Sequence, residues 1–102
     1  MEKKRQTVII VTAYGEDNYY QKRFEDIVGI YTSVDKAIAG AKEDGLTNRQ
    51  LNYLNSINAF SMLAIAMVNN SKEAFQVDYE EETDGRRKQC ESSYMFRTYN
   101  LD

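Results

Sequence analysis

The side chains that carry most enzyme chemistry are scarce in this sequence. The chain has no histidine, a single cysteine and five glycines scattered singly. Histidine is the commonest general base and the commonest metal ligand, so its absence removes many hydrolytic and metal-dependent mechanisms. Cys90 has no histidine to activate it, and the strand pairing predicted below points it into the core. We therefore expect no catalytic residue, no metal site and no cofactor, in a protein that is not an enzyme.

The first candidate binding segment combines aromatic and basic side chains near the N-terminus. Its members are Tyr14, Asn18, Tyr19, Tyr20, Lys22, Arg23 and Phe24. Tyrosine rings offer a large, rigid contact area with a polar tip, and beside lysine and arginine they can stack on bases or form a protein-binding patch. The alternative is that one or two rings cover a sheet edge while the others are solvated.

The second candidate is a charged hairpin tip in the last third of the chain. It comprises Glu80, Glu82, Asp84, Arg86, Arg87 and Lys88. Asp84-Gly85 between strand-like residues predicts a hairpin with a two-residue type I′ turn. An acidic run can bind a divalent cation, but alternation separates its carboxylates and basic residues face them, which favours a solvated, charge-paired tip. Such a tip can act as an interaction arm.

The same turn fixes the pairing of the hairpin from Phe75 to Tyr99. Val77 should face Ser92, and Phe75 should face Tyr94. Alternation then assigns one face to the core. The predicted core residues are Phe75, Val77, Tyr79, Cys90, Tyr94 and Phe96.

Two more strands are predicted before the helices. Thr7 to Tyr14 is β-branched and continuously apolar at its centre, as expected of a central strand covered on both faces. Glu16 to Asp26 is interpreted as an eleven-residue connection, and Ile27 to Thr32 as the second strand. Gly29 indicates either a bulge or a close backbone approach.

The middle of the chain predicts two helices. Ser33 should cap the first and Gly45 should end it. Thr47 and Gln50 have capping-box spacing, which predicts a second helix from Asn48 to about Asn69. Its apolar stripe should comprise Tyr53, Ile57, Phe60, Ala64 and Met67. Phe60 to Val68 is apolar almost all round, so a buried strand is the alternative there.

These elements predict a single α+β domain over residues 1–102, ordered β-β-α-α-β-β, with a four-stranded antiparallel sheet and two helices packed on one face. The net charge of −3 disfavours nucleic acid as a partner. No apolar run is long enough for a membrane span, and we expect a cytoplasmic protein. An exposed edge strand could pair with a second copy to give a homodimer.

One segment resembles known proteins. Ile27 to Ala37 reads Ile-Val-Gly-Ile-Tyr-Thr-Ser-Val-Asp-Lys-Ala. It is similar to the strand-to-helix segment of many small uncharacterised α+β proteins of phages and prophages. The resemblance implies a phage-encoded protein in the host cytoplasm that binds and inhibits a host protein, such as an antiviral defence component. The alternatives from the residues are a module that sequesters a small ligand or nucleotide, and a small metal-dependent hydrolase.

Overall fold

The computed structural model describes residues 6–17, 22–78 and 93–101. Along the chain these form β1 (Gln6–Asp17), β2 (Lys22–Tyr31), α1 (Val34–Asp44), α2 (Asn48–Ser56), α3 (Ala59–Asn69), β3 (Ala74–Val77) and β4 (Ser93–Leu101). The four strands make one antiparallel sheet in the order β2-β1-β4-β3. The predicted α+β class and four-stranded antiparallel sheet are thus confirmed. The described part of the chain contains three helices instead of the predicted two.

Strand β1 is the central strand that its composition predicts. It pairs with β2 on one side and β4 on the other, and the side chains of Ile9 and Val11 on one face and of Val8 and Ile10 on the other are all buried. Its side chains are buried on both faces, which explains why apolar residues run through its centre without alternation, although among the described residues the helices cover only the face of Ile9 and Val11.

The predicted connection from Glu16 to Asp26 is wrong. Strand β1 continues to Asp17 and β2 begins at Lys22, so most of this polar stretch belongs to a long hairpin. The register places Glu16 opposite Arg23 and Asp17 opposite Lys22. The low apolar content of this stretch concealed its pairing as strands.

Helix boundaries follow the capping signals. The Ser33 hydroxyl accepts from the amide of Lys36 at 3.2 Å. Thr47 and Gln50 form the complete capping box, with bonds of 3.1 and 2.9 Å. Gly45 ends α1 with φ of 134°. The expected N-cap, capping box and terminal glycine are all confirmed.

The predicted helix from Asn48 to Asn69 is correct at both ends but interrupted. Asn58 has φ of 58°, a left-handed conformation that cannot continue a right-handed helix. It separates α2 from α3, which meet at a bend of 64°. None of the described helices is long and apolar enough to cross a membrane alone, and α2 with α3 meets that criterion only as this bent pair.

The interruption also changes which residues of these helices are buried. Gln50 and Leu54 of α2 are buried, as are Ala59, Phe60, Leu63 and Ala66 of α3. Three members of the predicted apolar stripe, Tyr53, Ile57 and Ala64, are instead exposed. The stripe assumed one uninterrupted helix, and the bend at Asn58 rotates α3 relative to that assumption.

The core lies between the helices and one face of the sheet. The rings of Phe60 in α3 and Phe96 in β4 pack edge to face with centroids 5.5 Å apart. Tyr94, 1% exposed, donates its hydroxyl proton to Asp44 at the end of α1 over 2.9 Å. Helix α1 is thereby fixed to the strand furthest from it in sequence.

The C-terminal hairpin pairs two residues away from the predicted register. Val77 lies opposite Tyr94, and Phe75 lies opposite Phe96. A shift of two preserves alternation, so these four side chains share the core side as predicted. The predicted turn at Asp84-Gly85 lies outside the described residues, as do Tyr79 and Cys90.

Candidate functional site

The second face of the sheet is the candidate site. All three described helices pack on the face that carries Ile9, Val11 and Phe96. Within residues 6–17, 22–78 and 93–101, no element packs on the opposite face. We call this surface the open face, and it carries the side chains of Tyr14, Ile27, Ile30, Met95, Arg97, Tyr99 and Leu101.

Part of the open face is apolar and exposed. Ile27 and Ile30 are 64% and 62% exposed, and Tyr99 is 54% exposed. Between them Val8 and Ile10 are buried, so the exposed rings and branches surround an apolar centre. Contiguous exposed apolar surface of this kind is typical of sites where proteins meet one another.

A β-bulge creates this surface. Val11 pairs with Gly29 but Thr12 pairs with Ile27, which leaves Val28 as an extra residue in β2. Residues three apart in a regular strand point to opposite faces, whereas the extra residue brings Ile27 and Ile30 to the same one. The bulge therefore aims two isoleucines at solvent together.

Of the two alternatives offered for Gly29, the bulge is the one the structure shows, and the group that approaches Gly29 closely is a side chain instead of a backbone. A Cβ at this position would lie 2.5 Å from the hydroxyl oxygen of Tyr31, whose ring also fills the space beside Gly40 in α1. Tyr31 thus lies between two glycines and joins β2 to α1. The bulge is held in place from the core side of the sheet.

Polar residues also lie on the open face, namely Glu25 of β2, Gln76 of β3 and Arg97 of β4. Arg97 lies opposite Ile10 of β1 and opposite Ala74 of β3, so its exposed side chain starts near the middle of the sheet. Tyr99 follows two residues later on the same face. Arginine and tyrosine are among the side chains that most often dominate binding energy at protein interfaces.

One end of the open face is fixed by Tyr14. Its hydroxyl donates to the Asp78 carboxylate at 3.3 Å, and Gln76 donates to the same oxygen at 2.9 Å. Burial, followed by the charge of Asp78, raises the pKa of Tyr14 from 10.0 to about 12. Tyr14 is therefore a neutral phenol near pH 7, with no tendency to act as a base.

The structure distributes the predicted site residues unevenly. Tyr14 lies on the open face, half-buried. Lys22, Arg23 and Phe24 occupy backbone positions in β2 opposite Asp17, Glu16 and Gly15, and so belong to a strand instead of the predicted loop. Asn18, Tyr19 and Tyr20 lie outside the described residues. So do all six residues of the proposed hairpin tip, Glu80, Glu82, Asp84, Arg86, Arg87 and Lys88.

Sequence reasoning missed most of the open face. It placed Ile27 and Ile30 in a strand but did not assign them to a face of the sheet. Gly29 indicated either a bulge or a close backbone approach, and the choice between them decides that face. For β4, the alternation that places Tyr94 and Phe96 in the core necessarily places Met95, Arg97 and Tyr99 opposite. That alternation was the available signal.

The described residues offer nothing that resembles a metal centre. No group of three or more histidine, cysteine, aspartate or glutamate side chains comes together among them. Nor does any buried side-chain nitrogen or oxygen in the described part of the chain lack a hydrogen-bond partner. The buried polar side-chain atoms there are engaged within the fold.

In the residues that the structure describes, the fold is a two-layer α+β arrangement with helices on one face of the sheet and exposed apolar side chains on the other. Comparison with family models, curated proteins and solved structures gives no match to this chain.

Proposed function

We propose that this chain is a non-catalytic protein of phage type that binds a host protein through the open face and inhibits it, an antiviral defence component being the kind of target we favour. The observation that carries the proposal is the pair Ile27 and Ile30, each more than 60% exposed on one sheet face. Nothing in the fold of the described residues requires them to be apolar there.

Energetics support a binding role for these side chains. Fully burying one isoleucine contributes about 1.5 to 3 kcal/mol, and these two are each roughly two-thirds exposed. Covering both, together with the Tyr99 ring, contributes part of the apolar gain that offsets the entropy cost of association. Arg97 adds a requirement that the partner present a hydrogen-bond acceptor, such as a carboxylate, at the matching position.

Two observations support the biological setting. The segment from Ile27 to Ala37 resembles small phage and prophage proteins, and it forms the end of β2 and the start of α1. The sequence lacks histidine, so inhibition by occupying a surface is a better fit than inhibition by chemistry. The host cytoplasm as the compartment belongs to this same proposal.

The test is affinity capture with a matched pair of variants. Wild-type protein, Ile30→Glu and Ile65→Glu are immobilised and exposed to lysates of candidate bacterial hosts. Ile30 and Ile65 are 62% and 59% exposed and lie on opposite sides of the molecule, so the same change is made at equal exposure. We expect one host protein to be recovered by wild type and Ile65→Glu and lost with Ile30→Glu.

Two results would overturn the proposal. The first is the absence of any enriched protein from every host. The second is a captured protein that Ile30→Glu binds as well as wild type does. Thermal shift against cyclic and linear nucleotides checks the small-ligand alternative, because a ligand at about one hundred times its Kd adds about 2.7 kcal/mol of stability.

A further inference from the structure

Charged residues are distributed very unevenly along this chain. The whole sequence is 28% charged, yet the 25 residues from Thr47 to Ser71 contain one charged side chain, that of Arg49. This uncharged stretch covers α2 and α3. Its polar residues are asparagine, serine, threonine and glutamine, which can be covered by a partner at much lower desolvation cost than charged groups.

Helix α3 is apolar on both sides but buried on only one. Its outer side exposes Met62, Ile65 and Val68 by 43%, 59% and 82%. An exposed helix surface normally carries charged residues, and a helix that is apolar all round is normally buried all round. The outer side of α3 therefore has the composition of an interface while being open to solvent.

The spacing on this side suits another helix. Ser61, Ile65 and Val68 follow one another at steps of four and three, which aligns them along a single ridge of the helix. Ser61 and Ala64 are small, so a second helix can approach closely beside the ridge. With eleven residues, α3 presents a ridge about 16 Å long.

The scarcity of charge on α2 and α3 favours a second copy of this chain as the occupant. Each copy carries a net charge of −3, so two copies repel unless they meet where charges are absent. The outer side of α3 is such a place, and across a two-fold axis it meets an identical uncharged ridge. A lipid surface is a poorer fit, because amphipathic helices that bind membranes usually border their apolar side with lysine and arginine.

The edge strands are less suited to self-association than α3. Strand β3 is only four residues long, and β2 contains the bulge at Val28. Short edges and bulges are features that discourage sheets from pairing edge to edge. The homodimer through an edge strand that the sequence suggested stays a prediction, and α3 offers the better surface.

We propose that the chain forms a two-fold symmetric dimer in which α3 packs antiparallel against α3 of the second copy, with Ile65 and Val68 at the centre. The sheets then lie outside the helices, and the two open faces point away from each other. This proposal concerns a different surface from the proposed host-binding site and does not depend on it.

The experiment is sedimentation velocity on the full chain from low micromolar to several hundred micromolar protein. Wild type is expected to approach twice the monomer mass of 11.8 kDa as concentration rises. Ile65→Glu should remain monomeric throughout, because two glutamates would be brought together at the axis. Ile30→Glu, made at nearly equal exposure on the open face, should dimerise like wild type.

Folding of each variant is checked by circular dichroism and by its urea midpoint, and Val68→Glu serves as a second outer-side variant at a more exposed position. A wild type that stays monomeric at every concentration overturns the proposal. So does a dimer that Ile30→Glu disrupts and Ile65→Glu leaves intact. Binding of a monomeric wild type to phosphatidylcholine vesicles would assign the surface to lipid and also overturn it.

The outcome is separable from that of the host-binding test. Ile65→Glu is expected to lose dimerisation and still to capture the same host protein as wild type. Conversely, a wild type that captures no host protein can still sediment as a dimer.

Discussion

The hydroxyl of Tyr14 reaches across strand β4 to donate a hydrogen bond to Asp78 just beyond the end of β3. Since the pKa of Tyr14 is raised from 10.0 to about 12, the unfolded chain loses this proton at a lower pH than the folded chain. The stability that comes from the neutral phenol is therefore complete below pH 10 and is lost as the pH rises toward 12.

This relationship gives a pH-dependent prediction. Between pH 10 and about 12, the free energy of unfolding measured with urea should fall more steeply with pH for wild type than for Tyr14→Phe. The variant has no phenolic proton at this position. Both proteins share the other seven tyrosines, so their contribution cancels in the comparison. Parallel pH profiles would mean that folding does not shift the ionisation of Tyr14.

Gly40→Ala should destabilise the protein even though alanine is the better helix former. Alanine gains about 1 kcal/mol of helix propensity over glycine. The new Cβ would overlap the Tyr31 ring, which Gly29 confines from the other side, and overpacking costs about 1 to 3 kcal/mol. We expect a lower urea midpoint. In a Tyr31→Ala background the same change should raise the midpoint, and failure to do so would remove Tyr31 as the cause.

The interruption between α2 and α3 predicts opposite effects of one substitution at two asparagines. Asn58→Ala should cost about 1 kcal/mol, because alanine tolerates the left-handed conformation less well than asparagine. Asn52→Ala, at an exposed position within α2, should stabilise by a few tenths of a kcal/mol. The urea midpoints of the two variants measure this. Stabilisation in both would indicate that α2 and α3 can join into one continuous helix.

The capping box gives a prediction for the start of α2. Thr47→Ala removes the oxygen that accepts from the Gln50 amide and should cost about 0.5 to 2 kcal/mol. Asn48→Ala, one residue later, leaves both capping bonds in place and should change stability little. Unfolding in urea compares them, and equal losses at the two positions would argue against a specific role for the cap.

Local signals in the sequence predicted the features that depend on neighbouring residues. The caps at Ser33 and Thr47 and the end of α1 at Gly45 rest on short-range hydrogen bonds and on one backbone angle. The central position of β1 follows from its composition. Such features need no knowledge of what lies across the fold.

The predictions that were wrong concern features that depend on distant contacts or on a single unusual residue. Nothing near Asn58 in sequence distinguishes it from the asparagines of α2, yet its left-handed conformation divides the predicted helix. The register of Val77 and Phe75 was inferred from a turn, whereas in the sheet the pairing with Tyr94 and Phe96 must also satisfy packing against α3. The open face was not predicted, because the residues that share it can be identified only when the bulge and the strand order are known.

The separation of core and open face onto opposite sides of one sheet has a consequence for how this protein can vary. In β4, every second residue faces the helices and the intervening ones, Met95, Arg97 and Tyr99, do not. Substitutions in the second set alter the chemistry of the surface while leaving the interior unchanged. A lineage under pressure to follow a changing target could therefore exchange these side chains repeatedly, at small thermodynamic risk, on an architecture that stays constant.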